Sequence, residues 1–142
     1  GVAGALHRAA GPGLAAEGRA LAPIEPGQAV VTSGHDLPNA YVIHCLGPVY
    51  GRDEPADELL RSCYLEALDR AEARAIESVA FPAISTGAFG YPLEEAARIA
   101  LRAVVDRAPG LSSVRRIRFV LYDRRAFDTY ARILEELANG RR

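Results

Sequence analysis

The feature that most constrains the fold is an alternation, in the second half of the chain, of short apolar runs with longer stretches of helical spacing. "SVAFP" at 78–82 and "RIRFVLY" at 116–122 are too short for stable helices and are bounded by Pro82 and Asp123, so both are predicted strands, the first of them buried. Between them "LEEAARIALRAVV" brings Leu93, Ala96, Ala97, Ala100, Leu101 and Val104 to one helical face. Before them "PADELLRSCYLEALDRAEARAI" does the same with Leu59, Leu60, Cys63, Tyr64, Ala67, Leu68 and Ala71, with Pro55 suited to the first turn. After them Asp123 is a candidate cap for a last helix with Phe127, Tyr130, Ala131, Leu134 and Ala138 inward. A βαβα order of this kind implies one three-layer α/β/α domain with a mixed, largely parallel central sheet.

The first half fits the same plan. "GVAGALHRAAGPG" places Val2, Leu6, Ala9 and Ala10 near one face of a short helix that stops at Gly11-Pro12, and a weaker helix follows in "PGLAAEGRALAPIEPG". "QAVVTSG" and "AYVIHCLGP" are then two short strands.

In open α/β sheets, ligands gather beyond the carboxyl ends of strands, where loops and helix N-termini present backbone N–H groups. "AISTGAFGYP" at 83–92 occupies that place. Gly87 and Gly90 would let the backbone curl around a phosphate, Ser85 and Thr86 carry hydroxyls, and no charged residue intrudes. The same residues would also serve a tight βα turn whose glycines only permit helix–strand packing. A second glycine-led helix start, "GVAGALH", could point amides at the same anion or could simply favour close packing. Tyr122, at the end of "RFVLY", offers either a stacking face for a base or a core ring with a wet hydroxyl.

Composition removes several alternatives. All seventeen basic residues of the 142 are arginine, which excludes a Schiff-base lysine and the lysine of a Walker A loop. A formal charge of −1 argues against a broad nucleic-acid footprint. Cys45 and Cys63 lie in apolar segments without C-x-x-C spacing and read as buried thiols. His7, His35 and His44 lack ligand spacing, so no metal site is expected. No apolar run nears the roughly 18 residues of a membrane span, and a cytoplasmic location is the default expectation.

Taken together and in order, "GVAGALHRAAGP", "YVIHCLGP" and "VAFPAISTGAFGYPLEEAA" resemble the macro domain family, whose members bind ADP-ribose. The last stretch is especially similar to the branch of O-acetyl-ADP-ribose deacetylases and mono-ADP-ribosyl hydrolases. The resemblance implies that Gly1, Val2, Ala3 and Gly4 line one side of the diphosphate and distal ribose, that Ser85, Thr86, Gly87, Ala88 and Phe89 line the other, and that Gly90 and Tyr91 complete the bend. Tyr122 falls where the family often packs an aromatic near adenine. The implied partner is ADP-ribose or a derivative, including ADP-ribose carried on mono-ADP-ribosylated proteins; no cofactor is implied.

Two departures qualify the match. Family members carry, before the first loop, a strand ending in an asparagine-rich segment and an acidic residue that reads adenine; the expectation is therefore a single domain, 1–142, lacking its N-terminal strands. Where hydrolytic members often have Val-Asp-Gly, this chain has Val2-Ala3-Gly4, and a methyl group cannot activate water. The resemblance thus implies a binding module first and a hydrolase second, with no catalytic residue assigned.

Overall fold

The computed structural model describes residues 1–140. Five helices and four strands follow in the order α1 (Val2–Ala10), α2 (Pro12–Leu21), β1 (Ala29–Ser33), β2 (Tyr41–Cys45), α3 (Ala56–Ala73), β3 (Ser78–Phe81), α4 (Leu93–Arg107), β4 (Arg116–Phe119) and α5 (Arg124–Asn139), with a 3₁₀ turn at Ala108–Gly110. The class is α/β, as the alternation predicts. Pairing is mixed: β1 and β2 form an antiparallel ladder with Thr32 opposite Val42, and β3 and β4 form a separate parallel ladder with Phe81 opposite Phe119.

Helix α3 organises the core. Leu60, Cys63, Tyr64, Ala67, Leu68 and Ala71 are all buried, and this stripe packs against α4 on one side and β1 and β2 on the other. Burial of each leucine on such a stripe contributes about 1.5–3 kcal/mol. The strands obey their period of two. On β2, Val42 joins Ala10 and Leu14 of the α1–α2 pair, whereas Ile43 and Cys45 join the α3 core, so this ladder is covered on both faces.

The ladder of β3 and β4 is different. Val79, Phe81, Ile117 and Phe119 face the core, while Ser78, Ala80, Arg116 and Arg118 are exposed. "SVAFP" is therefore half-buried rather than fully buried, because among the described residues only one face of this ladder is covered.

Two helix faces also differ from the sequence expectation. In α1 only Ala10 is buried, and Val2 is 54% exposed. In α5 the inward residues are Ala126, Tyr130 and Ile133, leaving Phe127, Ala131, Leu134 and Ala138 exposed. The helix is turned because Tyr130 packs on Phe119 at 5.4 Å, while Arg132 pairs with Glu94 of α4 at 2.8 Å and Glu136 with Arg98 at 2.9 Å. The predicted cap is present: the Asp123 carboxylate accepts from Ala126 N–H at 2.9 Å.

The approach to β4 is fixed by one carboxylate. Glu72, near the end of α3, accepts from the backbone N–H groups of Ser112 and Ser113 and from the Ser113 hydroxyl. Those bonds, the Ser113 hydroxyl first, hold its pKa below the ordinary value. A depressed carboxylate stabilises the fold above its unfolded pKa, and that contribution disappears as pH falls through the lower folded value. Glu72→Gln should therefore lower the urea midpoint at pH 7, and the difference from the parent should shrink as the pH is taken below about 4. Urea titrations at several pH values check this.

Candidate functional site

The chain leaves β3 at Phe81, which is 4% exposed, and enters α4 at Leu93. The intervening loop is curled by two residues with positive φ, Ser85 at 67° and Gly90 at 74°. Its internal bonds run from Tyr91 N–H to Ser85 carbonyl at 2.9 Å and from Gly90 N–H to Gly87 carbonyl at 3.0 Å. Thr86 bends back, its hydroxyl donating to the Ala83 carbonyl at 2.8 Å, so that proton is already engaged.

What remains is a row of donors. Among the described residues, the N–H groups of Ser85, Gly87, Ala88 and Phe89 have no protein acceptor. The Ser85 hydroxyl is buried and likewise without a partner. Successive unpaired amides on a curled backbone form an anion-binding concavity, and such groups are otherwise costly to leave unmet away from water. Gly87 does not need positive φ, and a Cβ there would meet open space; the strained position in the turn is Ser85.

A neighbouring segment that the sequence reading treated only as a strand end supports this loop. Gly47 is buried against it: a Cβ at that position would lie 2.2 Å from Ser85 Oγ and 2.6 Å from Ile84 Cγ2. Tyr50 N–H donates to the Phe89 carbonyl at 2.9 Å, and its ring packs on the buried Tyr91 ring at 4.8 Å. From beneath, the Tyr64 hydroxyl accepts from Ile84 N–H at 3.2 Å. Nothing local in "CLGPVYG" signals these roles, because they arise from residues some forty positions away.

The first loop is built by other means. Gly1 is the cap of α1 and makes no side-chain cap bond, so the N–H groups of Val2, Ala3 and Gly4 lie in a first turn that has no intrahelical acceptors for them. Gly1, Val2 and Ala3 are exposed and Gly4 is partly so. Among the described residues no hydrogen bond, ion pair or ring contact joins this turn to the 83–91 loop. Tyr122 is fully exposed, without a ring partner among the described residues. The parallel register of β3 and β4, with Val120 N–H bonded to the Phe81 carbonyl at 2.8 Å, brings both strands out at the same end of their ladder, from which the 83–91 loop and the segment 120–122 both leave.

The two thiols are not poised as nucleophiles. Burial pushes the Cys45 thiol up to about 12 and that of Cys63 up to about 11, so neither forms thiolate near neutral pH. Among the described residues no three His, Cys, Asp or Glu side chains are grouped to hold a metal. No helix among them is long and apolar enough to cross a membrane. His35 serves structure, its Nε2 bonded at 2.8 Å to Glu17, which also receives Ser33 N–H at 3.1 Å.

Residues 1–100 match the Macro domain family, and the chain belongs to it. It is 44% identical to a macro domain-containing protein of Caldanaerobacter subterraneus subsp. tengcongensis, over 96% of this chain and 81% of that protein. It is 43% identical to an O-acetyl-ADP-ribose deacetylase of Klebsiella pneumoniae, over 94% of this chain and 79% of that one. Among solved structures, a mutant of the Oceanobacillus iheyensis macrodomain with ADPR superposes with a TM-score of 0.93 at 33% identity, covering 98% of this chain and 78% of that one.

The contact between Gly47 and the loop gives a direct test of how the loop is held. Gly47→Ala should force Ser85 and Ile84 aside and lower stability by about 1–3 kcal/mol, as overpacking does. Urea unfolding measures the loss, and amide chemical shifts should move chiefly at 83–91.

Proposed function

We propose that this chain binds ADP-ribose, free or attached to protein, with the diphosphate seated on the unpaired amides of the 83–91 loop. The observation that carries the reading is that row of donors: Ser85, Gly87, Ala88 and Phe89 N–H, curled at the end of β3 with no charged side chain among them. Each amide supplies partial positive charge without a lysine, which the chain lacks. The first turn of α1, Gly1 to Gly4, supplies the opposing amides and a positive helix end. Tyr122, exposed at the same end of the β3–β4 ladder as the loop, supplies the shelf for adenine, with stacking worth about 1–3 kcal/mol. The ADPR in the Oceanobacillus iheyensis relative supports the choice of ligand.

Calorimetric titration with ADP-ribose, with AMP and ADP as controls, tests the reading, and no selective binding of ADP-ribose would refute it. Gly87→Glu should abolish binding while the protein remains folded. The new side chain enters open space at an exposed position, so the loss would come from its bulk and like charge against the diphosphate. Circular dichroism alongside the titration checks that the variant is folded.

A second reading, hydrolysis of O-acetyl-ADP-ribose or of ADP-ribosylated protein, draws support from the Klebsiella pneumoniae relative. The obstacle is Ala3, whose methyl group can neither orient nor deprotonate water near the distal ribose. If the surrounding geometry is that of an enzyme, Ala3→Asp should raise single-turnover release of ADP-ribose from a modified protein, within the roughly 10²–10⁴-fold range of acid–base help. A parent that turns over briskly with no gain from aspartate would make the enzyme reading the better one.

A further inference from the structure

The loop's hold on its own shape begins in α3. Tyr64 is 1% exposed, and its hydroxyl reaches the point where the chain leaves β3. There it accepts from Ile84 N–H at 3.2 Å and donates to the Pro82 carbonyl at 3.4 Å, bridging Ala83. Ser85, the residue with positive φ that starts the curl, comes next. The ring is held in place by Phe81 at 5.0 Å, edge to face, and by Phe119 at 6.0 Å. Burial first, and then the neighbouring Tyr130 phenol, raise the Tyr64 pKa well above its ordinary value, so the oxygen keeps its proton and serves as donor and acceptor together.

We propose that Tyr64 is a positioning residue for the 83–91 loop: its hydroxyl fixes the direction of the chain at Pro82–Ile84 and thereby aims the Ser85, Gly87, Ala88 and Phe89 amides at one point. The inference rests on the reading of those amides as the diphosphate seat. A buried tyrosine ring would fill the core equally well as phenylalanine, so the hydroxyl is the part that packing does not explain. Without it, Ile84 N–H would lose its partner in a half-buried position, and the loop would be free to turn toward another acceptor.

Tyr130→Phe is the matched control. Its hydroxyl is also buried and lies near that of Tyr64, and its ring also packs on Phe119, yet it makes no hydrogen bond to the backbone at 82–91, which Tyr64 does. The experiment compares the parent, Tyr64→Phe and Tyr130→Phe by ADP-ribose calorimetry far below their unfolding midpoints, and by residue-resolved amide exchange without ligand. Tyr64→Phe should weaken ADP-ribose binding about tenfold and speed exchange within 83–91, while the interior of α3 keeps its protection. Tyr130→Phe should leave both readouts at the parental level. Parental affinity and exchange in Tyr64→Phe would overturn the proposal, as would an equal loss in Tyr130→Phe or faster exchange spread through α3 and α4. Should Tyr64→Phe fail to fold, exchange in the parent decides: Ile84 N–H must be protected relative to Ser85 and Gly87, and rapid exchange there would overturn the bridge. A parent that fails to bind ADP-ribose would refute the ligand reading, and the exchange data would still decide whether Tyr64 holds the loop.

Discussion

The structure depends on the buried stripe of α3. This helix reaches both strand ladders: its Leu60, Ala67 and Leu68 lie in the shared core with α4, its Ser62 hydroxyl donates to the Gly27 carbonyl at 2.8 Å ahead of β1, and its Tyr64 lies against Phe81 of β3. Because β1–β2 and β3–β4 are not joined to each other by a ladder, α3 is what sets them in one frame. Its alanines matter as much as its leucines. Ala67 and Ala71 are fully buried opposite Ala96, Ala97, Ala100 and Ala103 of α4, and small residues on both helices let them approach closely.

From that frame the candidate site follows as a sequence of local necessities. The parallel register places the ends of β3 and β4 side by side, the aromatic cluster of Tyr64, Phe81, Phe119 and Tyr130 anchors those ends, and the chain can then curl outward with its amides unspent. The loop closes some of its donors internally, through Gly90 and Tyr91, and among the described residues it leaves four amides and the Ser85 hydroxyl without a protein acceptor, the donors on which the proposed ligand seat rests.

Most of this was legible in the sequence where a single physical rule acts over a short range. The helix period marked α3 and α4, the caps marked α5, and the glycine and hydroxyl content of "AISTGAFGYP" marked the loop, because each signal is carried by residues a few positions apart. It failed where the deciding contacts are distant. The face of α5 depends on Glu94 and Arg98 of α4 and on Phe119 of β4, which no reading of α5 alone contains. Gly87 and Gly90 are the residues the sequence offers for the bend, and positive φ falls on Gly90 but, in place of Gly87, on Ser85, whose side chain is lodged above Gly47.

The sequence by itself determined the α/β class, the place of the loop at a strand's carboxyl end and, through Ala3, the lack of a carboxylate in the first loop. It could do so because spacing, turn chemistry and residue identity are local properties. Only the tertiary structure decided which donors in that loop remain open, that Gly47, Tyr50 and Tyr64 brace it, and that Tyr122 stands free at the same end of the β3–β4 ladder. Those outcomes depend on which groups meet after the chain has folded, since an amide is available to a ligand only when no other part of the protein has reached it first.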